Sequence, residues 1–163
     1  MLEITPAEAA VIVCAADRTV LDGSTAEPNR LQLRVAPDEL WLVGPRNLRP
    51  ALLAAGRALV HQRGLAVDQT DGWWVITAAG DDRYEVFRRL MVAPIPAPRP
   101  ALVQGAITGV PGKIICEPSR LHIFVPAGVG HHLMDRLSAV TGDLAVTIGP
   151  STALILESGG ASC

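Results

Sequence analysis

A chain of 163 residues, 49% hydrophobic and 18% charged, can bury a real core and is too apolar to be disordered as its main state. The net charge is −2, and the fourteen basic residues are scattered with Lys113 the only lysine, which excludes the clustered cations that nucleic-acid binding needs. Cys14, Cys116 and Cys163 stand far apart with no CxxC pair, which excludes a disulfide framework and a zinc knuckle.

Met1 to Pro6 carries an acid and a proline where a signal peptide needs bases and an apolar run. No apolar stretch approaches the ~20 residues that span a bilayer, so the expectation is a cytoplasmic protein. So few charges also suit a chain that covers part of its surface with a partner.

Ala9 to Ala15 is rich in Val and Ile and predicts a buried strand, and Asp17 to Asn29 predicts a loop. Leu31 to Val35 alternates apolar with polar, and Leu40 to Val43 follows the turn at residues 36–39, so the pair predicts a hairpin. Asn47 to His61 places Leu48, Leu52, Leu53, Leu59 and Val60 mostly on one helical face, with Gly64 as the stop. Leu65 to Asp68 is a short strand, Asp71-Gly72 a tight turn, and Trp73 to Ala78 a strand of β-preferring residues. Asp81 and Asp82 introduce a helix from Arg83 to Met91.

Pro94, Pro96, Pro98 and Pro100 then force an extended connection, read as a surface crossover. Strands follow at 101–108, 113–116 and 121–125, with turns at Pro111-Gly112 and Pro118-Ser119. A helix from Gly130 to Val140 and a closing strand over 144–148 complete the order. No internal repeat is evident. The fold expected is α+β, a mostly antiparallel sheet with packed helices, in one domain over 1–149 with a tail over 150–163. The tail's tip is expected to be mobile, and its run Ala153-Leu154-Ile155-Leu156 reads as a docking segment or a last edge strand.

No catalytic motif is present. Gly105 to Lys113 gathers three glycines and the sole lysine, but Lys113 is followed by Ile114 and a strand, so a glycine-rich β-turn is the better reading than a phosphate loop. His131 and His132 point ~100° apart on a helix and cannot easily share a metal, so no metal site is expected. Asp71, Asp81 and Asp82 have turn and helix-terminus explanations, which leaves Asp68 without one. Trp73 and Trp74 must face opposite sides of their strand, so one enters the core and the other meets solvent, ligand or partner. With Trp41 they form the expected partner interface. A tryptophan covered by a neighbouring helix is the competing explanation.

Ala36-Pro37-Asp38-Glu39-Leu40-Trp41-Leu42-Val43 resembles the Gly-Pro-Asp-Glu-Trp-Leu-Leu segment of sarcosine oxidase gamma subunits, with Leu40 inserted. Val67 to Trp73 looks like that family's Val-Asp-Val-Ser-Asp strand and turn. The strand at Val75, the glycine at Gly80 and the helix to Leu90 follow in the family's order, as do the closing strands and helix. The resemblance spans roughly residues 31 to 140. It implies a fold like the folate-binding domain of the glycine-cleavage aminomethyltransferase, the T-protein. It also implies a non-catalytic, structural subunit of a flavin-dependent complex oxidising an N-methyl amino acid or related amine. Larger alpha-type flavoprotein subunits would be the partners, and FAD, FMN, NAD and tetrahydrofolate would sit on those other chains.

The T-protein's paired-aspartate hairpin is replaced here by Pro111 to Glu117, and the family's Arg-Thr strand by Val103 to Ala106. The fold resemblance alone implies an alternative, a stand-alone tetrahydrofolate-binding or one-carbon-transfer protein with Asp68 and Trp73 or Trp74 near the pterin.

Overall fold

The computed structural model describes residues 1–25, 27, 29–95, 97 and 99–157. The span read as one α+β domain divides into two compact units, residues 8–70 with the chain from 153 onward, and residues 1–7 with 71–152.

The first unit begins on β1 (Leu2–Ala16), whose residues from 8 onward belong to it. A four-residue helix, α1 (Arg18–Leu21), interrupts the stretch expected as loop, and the hairpin of β2 (Leu31–Ala36) and β3 (Glu39–Pro45) follows as expected. A 3-10 turn over 46–48 leads into α2 (Arg49–Val60), and β4 (Gly64–Asp68) returns to the sheet. The strand order is β2-β3-β1-β4, all antiparallel. Leu52, Gly56 and Val60 bury one stripe of α2, and with Ala10, Ile12, Cys14, Leu21, Leu40 and Leu42 they fill the space beneath it. The helix stops at His61, in left-handed backbone with φ 33°, three residues before the expected Gly64.

The second unit uses the first residues of β1 together with β5 (Trp73–Gly80), α3 (Arg83–Leu90), β6 (Ala101–Ile107), β7 (Val110–Cys116), β8 (Arg120–Pro126), α4 (Gly130–Val140) and β9 (Val146–Ile148). Its order is β9-β1-β5-β8-β7-β6, antiparallel except where β9 runs parallel to β1. Phe87, Leu90, Leu133 and Leu137 pack on Ile4, Ile76, Ala78, Leu121 and Ile123 from one face of that sheet. Among the described residues the fold is thus sheet-dominated, with four α-helices.

Three departures have simple causes. β1 begins at Leu2, well before the expected Ala9, because Pro6 is the last residue paired with β5 and pairing with β3 starts at Ala9. A residue without an N–H is harmless where one ladder ends and the other has not begun. The β6–β7 turn is made by Thr108 and Gly109, both at positive φ, rather than by Pro111-Gly112. Pro111 lies inside β7, ahead of Lys113 where pairing with β8 starts, so its missing donor again costs no bond. In the tail, a two-residue strand β10 (Thr152–Ala153) pairs with β1. Leu154 is buried and donates its N–H to Glu8 O at 3.3 Å, while Ile155 is exposed. The expected mobile tip falls outside the described residues.

An internal repeat that the sequence hides is plain in the topology. The first unit is β-α-β-β-α-β, and β5, α3, β7, β8, α4 and β9 repeat that order, with β6 inserted. β3 and β8 each end in a proline, Pro45 and Pro126, and each leads through a three-residue 3-10 turn into a helix. Leu40 and Leu121, Leu42 and Ile123, and Leu52 and Leu133 then occupy corresponding core positions.

At the start of α4 a β-carbon on Gly130 would lie 2.4 Å from the Trp74 ring, so only glycine lets the helix approach that strand. Gly128 has nothing within 4 Å of the same position. Gly130→Ala should cost about 1–3 kcal/mol in urea unfolding through overpacking, and Gly128→Ala should stay within about 0.5 kcal/mol of the parent. Equal effects would show that the Trp74 contact does not set the helix position.

Candidate functional site

The most distinctive concavity lies on the second unit's sheet, on the face away from α3 and α4. Register fixes it. Val75 pairs with Phe124, and Phe124 pairs with Lys113, which pairs in turn with Gln104. Trp73, two residues before Val75, therefore shares their face. An open cavity of about 340 Å³ is lined there by Trp73, Gln104, Ala106, Pro111, Lys113 and Pro126. The Lys113 ammonium sits 5.1 Å from the Trp73 ring centroid, within cation–π range. The glycine-rich stretch is a β-hairpin, as the residues after Lys113 imply, and it carries its lysine onto an aromatic platform.

Trp74 takes the other face. Its ring meets His131 at a 5.2 Å centroid separation, tilted by 53°, and packs against the core beneath α4. It is the tryptophan covered by a helix. Trp41 is 2% exposed and donates Nε1–H to Glu39 Oε1 at 2.6 Å. Of the three tryptophans expected at an interface, Trp73 lines an open surface cavity.

Sequence reasoning missed a buried polar chain in this unit. His122 Nε2 lies 3.0 Å from Glu117 Oε2, and its Nδ1 lies 3.0 Å from Thr77 Oγ1. Glu117 and His122 are both fully buried. Tyr84 donates its hydroxyl to Glu117 O at 3.2 Å. A glutamate in a turn beside Pro118 reads as solvated, and only the β7–β8 register brings it back to His122. The acid–base groups are sealed from solvent, so the arrangement ties the β7–β8 loop to the sheet. Glu117→Ala should cost about 3 kcal/mol by leaving His122 buried without its partner; a loss near zero in chemical unfolding would contradict that role.

Asp68 acquires the structural explanation it lacked. Its Oδ2 accepts from Arg49 Nε at 2.5 Å, and its Oδ1 from the Thr70 N–H at 3.0 Å. Desolvation pushes its carboxyl up, but the Arg49 and Thr70 hydrogen bonds outweigh this and hold it below the ordinary carboxylate value of 3.8. Asp82 starts α3 through its backbone carbonyl, which accepts from Glu85 and Val86, and not through a side-chain cap. Burial pushes the Cys14 thiol up to about 11, partly offset by the field of Arg30, so Cys14 stays protonated and unreactive at neutral pH. Among the described residues no group of His, Cys, Asp and Glu has the geometry to hold a metal.

The lowered Asp68 pKa gives a signed expectation. Stability from the Arg49 pair is present above pH 3.8 and is lost as pH falls through the folded value. Asp68→Asn should therefore cost about 1 kcal/mol near pH 7, and the gap between variant and parent should close in acid. A gap that persists undiminished at pH 2 in denaturant titrations would contradict the assignment.

No protein-family model matches the sequence, and no curated protein matches it. Solved structures do. A chain of the heterotetrameric sarcosine oxidase from Corynebacterium sp. U-96 superposes with a TM-score of 0.75 at 16% identity, covering 90% of this chain and 86% of that one. The glycine cleavage system aminomethyltransferase T from Bartonella henselae gives 0.62 at 12% identity, and the match covers 90% of this chain but 47% of that enzyme. The regulatory subunit of aspartate kinase from Thermus thermophilus gives 0.50 at 10% identity over 86% of this chain. Among the described residues no helix is long and apolar enough to cross a membrane. The chain has the fold of a sarcosine oxidase chain and of part of an aminomethyltransferase, as its sequence motifs imply.

Proposed function

We propose that this protein is a small, non-catalytic subunit of a flavin-dependent, sarcosine-oxidase-like complex that oxidises an N-methyl amino acid or related amine. One observation carries the proposal: the fold match takes in 86% of a chain of a heterotetrameric oxidase, but under half of the glycine cleavage system aminomethyltransferase. The chain is thus comparable to one subunit of such an assembly rather than to a whole one-carbon-transfer enzyme. Its chemistry agrees. The Glu117–His122 pair is fully buried, and Cys14 is a protonated core thiol.

In this reading the partners are larger, alpha-type flavoprotein chains, and FAD, FMN, NAD and tetrahydrofolate reside on those chains. Docking uses the Trp73 and Lys113 face of the β6–β7 hairpin, an amphipathic platform of the kind enriched at interface centres. Leu65 and Val67 on β4 are a second exposed apolar pair, 68% and 45% accessible. The alternative, tetrahydrofolate binding by this chain itself, is favoured by the aminomethyltransferase fold and would use the same Trp73 cavity.

Affinity purification of the tagged chain from its own cells should bring down larger, yellow, flavin-bearing chains. In that complex, Lys113→Glu should weaken assembly by about tenfold or more through charge reversal at the platform, with the unfolding midpoint of the isolated chain unchanged. A lone, colourless monomer or homodimer would overturn the subunit reading, and saturable quenching of tryptophan fluorescence by tetrahydrofolate would then favour the alternative.

A further inference from the structure

The first unit holds a second cavity, unrelated to the tryptophan platform. It measures about 220 Å³ and is lined by the loop at Gly23, Ser24 and Thr25, by Glu27 and Arg30, and by Leu42, Ala55, Ala58 and Leu59. Gln32 on β2 pairs with Leu42, whose side chain packs beneath α2, and Arg30 lies two residues earlier, just before the strand begins. Arg30 is only 6% exposed and Gln32 1%.

Among the described residues one buried donor here lacks an acceptor. A guanidinium has five N–H groups and no acceptor, and a glutamine amide adds two more donors. Arg30 Nη2 and Gln32 Nε2 both donate to one carbonyl, Thr25 O. Arg30 Nη1 pairs with Glu27 Oε2 at 2.9 Å. Arg30 Nε is buried and, among the described residues, has no hydrogen-bond partner. A buried cation left with an open donor is costly unless an anion completes it. Its internal counter-ion is weakly held, since the Glu27 side chain is 55% exposed. An incoming carboxylate could displace Glu27 into water at little cost and take the guanidinium fork in bidentate form. Leu42, Ala58 and Leu59 would receive a short hydrocarbon tail, and that apolar lining favours a carboxylate with a tail over a fully hydrated inorganic anion.

We propose that the Arg30 cavity is a binding site for a small aliphatic monocarboxylate, held by the Arg30 guanidinium in place of Glu27. This goes beyond the subunit reading and does not depend on it. The test is an NMR titration of the purified full chain with sodium butyrate, following the Arg30 Nε–Hε resonance, with butyramide as the uncharged control of the same shape. A saturable shift of that resonance with butyrate and none with butyramide is expected. Glu27→Gln removes the competing carboxylate and should tighten butyrate on the order of tenfold. Ala58→Phe narrows the cavity from an exposed helix position and should abolish the shift while leaving the unfolding midpoint in place. The absence of a saturable butyrate shift, an equal response to butyramide, or undiminished binding by Ala58→Phe would each overturn the assignment.

Discussion

The structure depends on one strand serving two ladders. Residues 2–6 of β1 are bonded to β5, and residues 9–15 are bonded to β3. β9 adds to the first stretch and β4 to the second. Each unit therefore takes a central strand from the same segment, and each sheet needs that strand to join its halves. Ile4 packs into the core beneath α3 and α4, and Ile12 into the core beneath α2. A strand interior to both sheets must have both edges bonded, and Pro6 falls at the end of the β5 ladder, before pairing with β3 begins, where a missing N–H is tolerated.

Around that strand the two units solve the same packing problem with different residues. In each, a hairpin ends in a proline, a short turn redirects the chain, and a helix lays a leucine stripe over the sheet. The polar groups differ, and the differences set what each unit can do. In the second unit Glu117, His122 and Thr77 satisfy one another and leave a closed interior beside an aromatic platform. In the first, Arg30 Nε has no hydrogen-bond partner among the described residues. A fully hydrogen-bonded buried network fixes a structure, and a buried donor left open is costly.

Much of the fold was legible because its signals are local. Alternation over Leu31 to Val35 and the apolar stripe of Leu52 and Val60 set strand and helix by period, and the adjacency of Trp73 and Trp74 forced them onto opposite faces. The family resemblance drawn from the Pro37 to Val43 and Val67 to Trp73 segments agrees with the fold found by superposition. What stayed hidden is non-local. Pro6 masked the early start of β1, because only the ladder shows that its missing donor falls between pairings. The burial of Trp41, 2% exposed beside Leu33 and Val13, is set by strand pairing that its own segment does not reveal. The repeat was invisible because its matches, such as Leu40 with Leu121 and Leu52 with Leu133, are scattered core positions that only the topology aligns. Asp68 looked unexplained because Arg49, its partner, lies nineteen positions away. Arg30 gave no signal at all, since an arginine before a strand reads as solvated.

If this chain acts through a surface and not through a reactive centre, assembly must bury the β6–β7 platform. Hydrogen–deuterium exchange of the chain alone and within the proposed flavoprotein complex tests that directly. The account predicts slowed exchange of the backbone amides from Gln104 to Lys113, and of those around Trp73, on assembly. Unchanged exchange across that hairpin in an intact complex would contradict it.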